Sequence, residues 1–176
     1  FTADCGHLGY VAANLAVRWH PDGTKVIFAG QTEDEQHALF EFDLETKRSR
    51  RIFPFPAQHV VFDFSPGGNY LACLSRDNDD TRPRNGLWIG RSDGRRWRRV
   101  AESVKPTNNA PAIAQLQPLL PVWAGDSPRF AFVAMRATED EQHQHVVFVG
   151  DAQTRDTREL LATAEPVRHP RSTPQG

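Results

Sequence analysis

The hexapeptide Thr-Glu-Asp-Glu-Gln-His occurs twice, at residues 32–37 and again at 138–143, an offset of 106 residues. Each copy runs on into a short apolar segment ending in Asp. The first is Ala38-Leu39-Phe40-Glu41-Phe42-Asp43 and the second is Gln144-His145-Val146-Val147-Phe148-Val149-Gly150-Asp151. Self-similarity at a fixed period marks a chain built from stacked supersecondary units. Half the offset is 53 residues, a length suited to one propeller blade, so a middle copy is expected. It is present in degenerate form. Aligned on an aromatic residue followed by a turn, the three starts are Trp19-His20-Pro21-Asp22-Gly23, Phe64-Ser65-Pro66-Gly67-Gly68 and Trp123-Ala124-Gly125-Asp126-Ser127, spaced 45 and 59 residues apart.

Between these starts, clusters of β-branched and aromatic residues alternate with Pro, Gly, Asp and Asn, the pattern of short strands joined by turns. Blade one is expected over about 15–53, with strands at 15–19, 25–29, 37–44 and 49–53. Blade two is expected over about 59–101, with strands at 59–64, 70–75, 86–90 and 97–101. A Pro-, Asn- and Gln-rich inter-blade loop follows at 105–118. Blade three then spans about 120–162, with strands at 120–123, 129–135, 145–149 and 157–161, and a tail occupies 164–176. Second strands such as Val26-Ile27-Phe28-Ala29 are apolar on both faces, as sheets sandwiched between neighbours require. The third strand of blade one alternates, with Phe40, Phe42 and Leu44 on one face and Glu41 and Asp43 on the other. No stretch of a dozen residues sustains a helical apolar period, with 112–120 the nearest approach.

The expected fold is therefore all-β, a β-propeller segment of about three four-stranded antiparallel blades. Closed propellers usually need about four to eight blades, so the segment is expected to belong to a larger propeller of six to eight. Self-association of two arcs into a ring is the alternative. The chain starts at Phe1 rather than Met, which is what a trimmed piece would show.

The run Trp19-His20-Pro21-Asp22-Gly23-Thr24-Lys25-Val26-Ile27-Phe28-Ala29 resembles the repeat of TolB-like propellers: an aromatic residue, Ser-Pro-Asp-Gly, a basic residue and an apolar strand. Residues 64–74 are a second match. Phe42-Asp43-Leu44-Glu45-Thr46 and Ser92-Asp93-Gly94 resemble the turn between the third and outermost strands of such repeats. The motif has a physical basis: Pro presets φ, Asp caps the turn backbone, and Gly accepts a positive φ. Blade three departs from it with Gly125-Asp126-Ser127-Pro128. The resemblance implies an envelope or periplasmic protein that recruits protein partners. Similar blades also form gating domains of prolyl oligopeptidase-like and tricorn-like serine peptidases, so fold alone does not choose a function.

Charge narrows the choice. Lys and Arg number 21 against 22 Asp and Glu, for a net charge of −1 with His neutral, and no basic excess exists for gripping phosphates. Trp88 and Trp97 flank or enter the basic stretch 91–99, an arrangement compatible with stacking of single-stranded nucleic acid; strand packing explains both more simply. Nucleic acid is therefore not expected, nor is membrane insertion, since no stretch approaches the roughly 18 apolar residues needed to cross a bilayer; a protein or peptide partner is expected instead.

In a four-stranded meander, the turns after the first and third strands share one rim and the loop after the second strand lies on the other. That second rim collects Glu33, Asp34 and Glu35 from blade one, Asp77, Asp79 and Asp80 from blade two, and Glu139, Asp140 and Glu141 from blade three. These nine residues are the candidate partner-binding face, reached with the help of electrostatic steering. Solvated hairpin loops would look the same. On or near the opposite rim fall Lys47, Arg48, Arg50, Arg51, Arg91, Arg95, Arg96, Arg98, Arg99, Arg155 and Arg158, where outermost-strand arginines also discourage edge pairing.

Chemistry has few footholds. Asp77-Asn78-Asp79-Asp80 offers oxygen donors but lacks the Gly and Glu of a calcium-binding helix-loop-helix. His37, His143 and His145 form no defined ligand set. Cys5 and Cys73 lie 68 residues apart, too few for a disulfide framework, and Cys73 sits in the apolar run Leu71-Ala72-Cys73-Leu74 as a small buried side chain. There is no G-x-S-x-G elbow, H-E-x-x-H, P-loop or G-x-G-x-x-G, and neither metal nor cofactor is expected. The chain reads as a non-catalytic scaffold. The alternative is a substrate-gating propeller domain of a serine peptidase whose catalytic domain lies outside these 176 residues, a reading that a G-x-S-x-G elbow beyond Gly176 would favour.

Overall fold

Each aromatic-turn start closes a hairpin of the same size. The backbone N–H of His20, Ser65 and Ala124 donates to the carbonyl of Lys25, Tyr70 and Arg129, at 2.9, 3.0 and 2.9 Å. In the first two turns the positive φ falls on Gly23 (73°) and Gly68 (71°) at the fourth turn position, whereas in the third it moves to Gly125 (56°) at the second. Blade three thus keeps the hairpin length while exchanging the turn type. Its sequence shows why, because Gly stands where the other two blades have Pro.

The computed structural model describes residues 17–31, 37–53, 59–76, 86–102, 116–118, 120–137 and 143–164. Blade one is β1 (Val17–Trp19), β2 (Lys25–Gln31), β3 (His37–Asp43) and β4 (Arg48–Arg51). Blade two is β5 (His59–Phe64), β6 (Tyr70–Arg76), β7 (Gly86–Arg91) and β8 (Arg98–Glu102). Blade three contains β9 (Leu116–Pro118), β10 (Val122–Trp123), β11 (Arg129–Ala137), β12 (His143–Asp151) and β13 (Thr157–Thr163). Every pair is antiparallel, and apart from β9, which pairs with β11, neighbours follow sequence order, which makes three up-and-down meanders. The described residues contain no helix.

The end of the segment 105–118 is not loop. β9 pairs with β11 at Ala134↔Pro118, and β10 continues along the same edge at Val122↔Ala131, one register step out of line. The two pieces are the first strand of blade three, split where Pro118 and Pro121 supply no N–H to the ladder. Residues 105–115 lie outside the described set.

The core sits between the sheets. Ile27, Leu39, Ile52 and Phe53 of blade one pack on Phe62, Phe64, Leu71, Cys73 and Trp88 of blade two. The other face of blade two, with Ala72, Leu74, Leu87, Ile89 and Ala101, packs on Trp123, Phe130, Phe132 and Ala134 of blade three. Fully burying one such large side chain contributes about 1.5–3 kcal/mol. Glu41 does not lie on a solvated face: it shares the inner face of blade one and is only 4% exposed. Its carboxylate accepts from Arg50 Nε at 2.9 Å and pairs with Lys25 Nζ at 3.5 Å, so cross-strand cations compensate the burial.

Each end of the arc leaves an apolar sheet face. Register places Val17, Phe28 and Phe40 side by side, and Trp19, Val26 and Phe42 beside them, facing away from blade two. Val17 is 54% and Trp19 62% exposed, and at the far end Leu160 and Leu161 are 61% and 53% exposed.

Candidate functional site

The nine acidic candidates, Glu33, Asp34, Glu35, Asp77, Asp79, Asp80, Glu139, Asp140 and Glu141, all lie outside the described residues. What is described is where their hairpins open. The last paired residues are Gln31↔His37, Ser75↔Gly86 and Ala137↔His143, each at the end of its sheet opposite the aromatic-turn hairpins. His145 lies two residues inside β12, half-buried. Among the described residues no group of three His, Cys, Asp or Glu is placed to hold a metal.

The opposite rim is resolved in detail, and its turns are stitched to one another. His20 donates Nε2–H to the carbonyl of Gly68 at 3.0 Å, and its ring meets Phe64 edge-on at 5.1 Å. The turns after the third strands are built by their own side chains. Asp43 Oδ1 accepts from the N–H of Thr46 at 2.8 Å, the hydroxyl of Thr46 at 2.9 Å and the N–H of Glu45 at 3.1 Å. Asp151 Oδ1 does the same for the N–H groups of Gln153 and Thr154 at 2.7 and 3.0 Å. The Thr46 bonds hold the Asp43 carboxyl below its ordinary value, and Thr24 does likewise for Asp22, again mainly through its backbone N–H.

Two arginines of the outermost strands reach across blades. Arg50 Nη1 donates to the carbonyl of Asp93 at 3.1 Å, and Arg98 Nη2 to the carbonyl of Asp151 at 3.1 Å. The positions correspond: Arg50 pairs in register with Glu41 and Arg98 with Ile89, two residues before the turns opened by Asp43 and Arg91. Arg158 pairs with Val149, two residues before Asp151, and holds the same place in blade three. It is exposed. Burial, and then the neighbouring charge of Arg155, push the Arg98 guanidinium below its ordinary basicity. Much of the basic character read from the sequence is thus spent on structure, with Arg51 Nε also bonded to the Phe53 carbonyl at 2.9 Å and Arg99 paired with Glu102 at 3.2 Å.

Both tryptophans of the basic stretch are packing groups. Trp97 donates Nε1–H to the Ile52 carbonyl at 2.8 Å and meets Phe53 edge-on at 5.0 Å. Trp88 donates Nε1–H to Ser75 Oγ at 3.1 Å and is 8% exposed. Cys73 is free and fully buried, and burial pushes its thiol well up.

A cleft of about 370 Å³ opens between blades two and three on this rim. Tyr70, Ile89 and Pro128 contribute its apolar wall, and Arg91, Arg96, Arg155 and Asp126 its charges. No sequence signal announced it, because its residues are drawn from four turns of two different blades.

No protein-family model matches the chain, and no curated protein matches it in sequence. Solved structures do. The chain is similar to an oligogalacturonate lyase in complex with manganese, with a TM-score of 0.54 and 16% identity over 81% of this chain and 39% of that one. It is similar to TolB from Acinetobacter baumannii, with a TM-score of 0.50 and 14% identity over 84% of this chain and 32% of that one. A protein assigned as TolB from Agrobacterium tumefaciens gives a TM-score of 0.51 and 18% identity over 86% and 51%. The chain spans between 32% and 51% of the length of these structures. At such identities the likeness is one of fold: three antiparallel blades that match part of larger β-propeller chains.

Proposed function

We propose that this TolB-like propeller segment is a non-catalytic platform for a protein or peptide partner, engaged through the acidic loops at 32–36, 77–85 and 138–142. One observation carries the reading. The three central hairpins each open at the end of their sheet opposite the aromatic-turn hairpins, and the sequence puts nine acidic residues in the loops that join those open ends. The three loops carry a net negative charge even with Arg82 and Arg84 counted, and such a charge raises the encounter rate with an oppositely charged surface and disfavours like-charged ones. The partner surface is therefore basic, and its capture weakens with salt.

The test replaces Glu33, Asp34, Glu35, Glu139, Asp140 and Glu141 with Ser and compares the proteins captured by parent and variant, identified by mass spectrometry at low and high salt. Loss of a discrete basic partner at low salt is the expected outcome. Unchanged capture overturns the acidic-rim reading.

A further inference from the structure

We propose that the cleft between blades two and three binds a small organic anion carrying at least two carboxylate or phosphate groups. This site lies on the rim of the aromatic-turn hairpins and does not depend on the acidic-loop reading.

Charge supplies the first argument. Three arginines, Arg91, Arg96 and Arg155, line the cleft against a single acidic residue, Asp126. Arg91 is paired with Asp93 at 3.3 Å. Arg96 and Arg155 are exposed and form no ion pair with a described residue. Arg98, behind the lining, is held below its ordinary basicity by burial and then by the charge of Arg155, with Asp156 and Asp151 offsetting part of this, and its Nε is buried without a hydrogen-bond partner. Such an excess is relieved by an anion, and planar guanidinium forks match carboxylate and phosphate oxygens two at a time.

Backbone conformation supplies the second. Three described residues other than Gly have positive φ, namely Lys47 (56°), Arg96 (57°) and Arg155 (71°), and two of them line this cleft. At the corresponding bend of blade two, Gly94 takes the positive φ (80°) that Arg155 takes in blade three. Lys47 takes the same conformation at the same step of the blade-one turn, four residues after Asp43 as Arg155 is four after Asp151, so the conformation belongs to the turn and fixes where the Arg155 side chain leaves the backbone. Size supplies the third: about 370 Å³ suits a small molecule rather than a protein segment, and Tyr70 and Ile89 give its carbon skeleton an apolar wall.

The experiment uses the full 176-residue chain with citrate and inorganic phosphate as probes, read by calorimetry and thermal unfolding against sodium chloride at matched ionic strength. Citrate should bind and raise Tm beyond the salt control, with phosphate weaker. Arg96→Gln and Arg155→Gln should each weaken citrate binding about tenfold, the scale of one charge-assisted contact. Arg48→Gln, in blade one, should leave it unchanged. Because a loss can follow from misfolding, Asp126→Asn provides a gain: removing the one carboxylate of the lining should tighten citrate binding about threefold by relieving repulsion. A Tm rise no larger than that of the salt control overturns the proposal, as do equal affinities in the parent, Arg155→Gln and Asp126→Asn proteins.

Discussion

Asp43 does the work of a turn residue by accepting three hydrogen bonds at one oxygen, two from backbone N–H groups and one from the Thr46 hydroxyl. Those bonds favour the ionised form, so its folded pKa lies below the ordinary 3.8. A carboxylate depressed on folding stabilises the folded state fully above its unfolded pKa, and that contribution fades as pH falls through the folded value. The expected outcome is a loss of urea-unfolding free energy below about pH 4 that is shallower in Asp43→Asn than in the parent, Asp22 supplying part of what remains. Identical pH profiles would contradict it. Asp43 was legible from its place before Leu-Glu-Thr, whereas its neighbour Glu41 was not. Strand alternation put both on a polar face, and only the arrival of blade two, with Arg50 and Lys25 beside the carboxylate, makes that face an interior one.

At the scale of elements, the limits of most strands could be read because Pro, Gly and Asp punctuate a repeated pattern whose turns have fixed geometry. The split first strand of blade three was legible only in its second half: 120–123 reads as strand and contains β10, whereas the Pro-, Asn- and Gln-rich run ending at Pro118 marks Leu116–Pro118 as loop, and pairing with β11 overrides it. The cleft escaped for a different reason: it exists only where turns of two blades meet, and no local pattern encodes that meeting. Gly68 lies at another such junction. Its φ of 71° matches the 73° of Gly23, but a Cβ there would sit 3.0 Å from His20 and 3.1 Å from Pro21, whereas Gly23 faces open space. Gly23→Ala should cost about 1 kcal/mol from backbone strain alone. Gly68→Ala should cost about 2 kcal/mol or more, the difference reporting the crowding between blades. Chemical denaturation of the two variants decides, and equal costs would show that the turns do not support each other.

For the whole molecule, the apolar faces around Trp19 and Leu161 set the behaviour in solution. Exposed apolar sheet faces associate. Light scattering should give a mass that climbs with concentration above 19.8 kDa, and Trp19→Ser or Leu161→Ser should lower it. A parent chain that stays at the monomer mass throughout would exclude a ring made from two arcs. The arginine bonds between blades add a constraint that greasy faces alone would not impose. Arg50 grips the blade after it and Arg98 does the same, so each blade has a giving side and a receiving side. Arg158 is a hand held out in the same sense. Two arcs meeting as mirror-like halves, like side to like side, would leave that hand empty; only head-to-tail addition fills it, and such growth runs one way until the circle shuts.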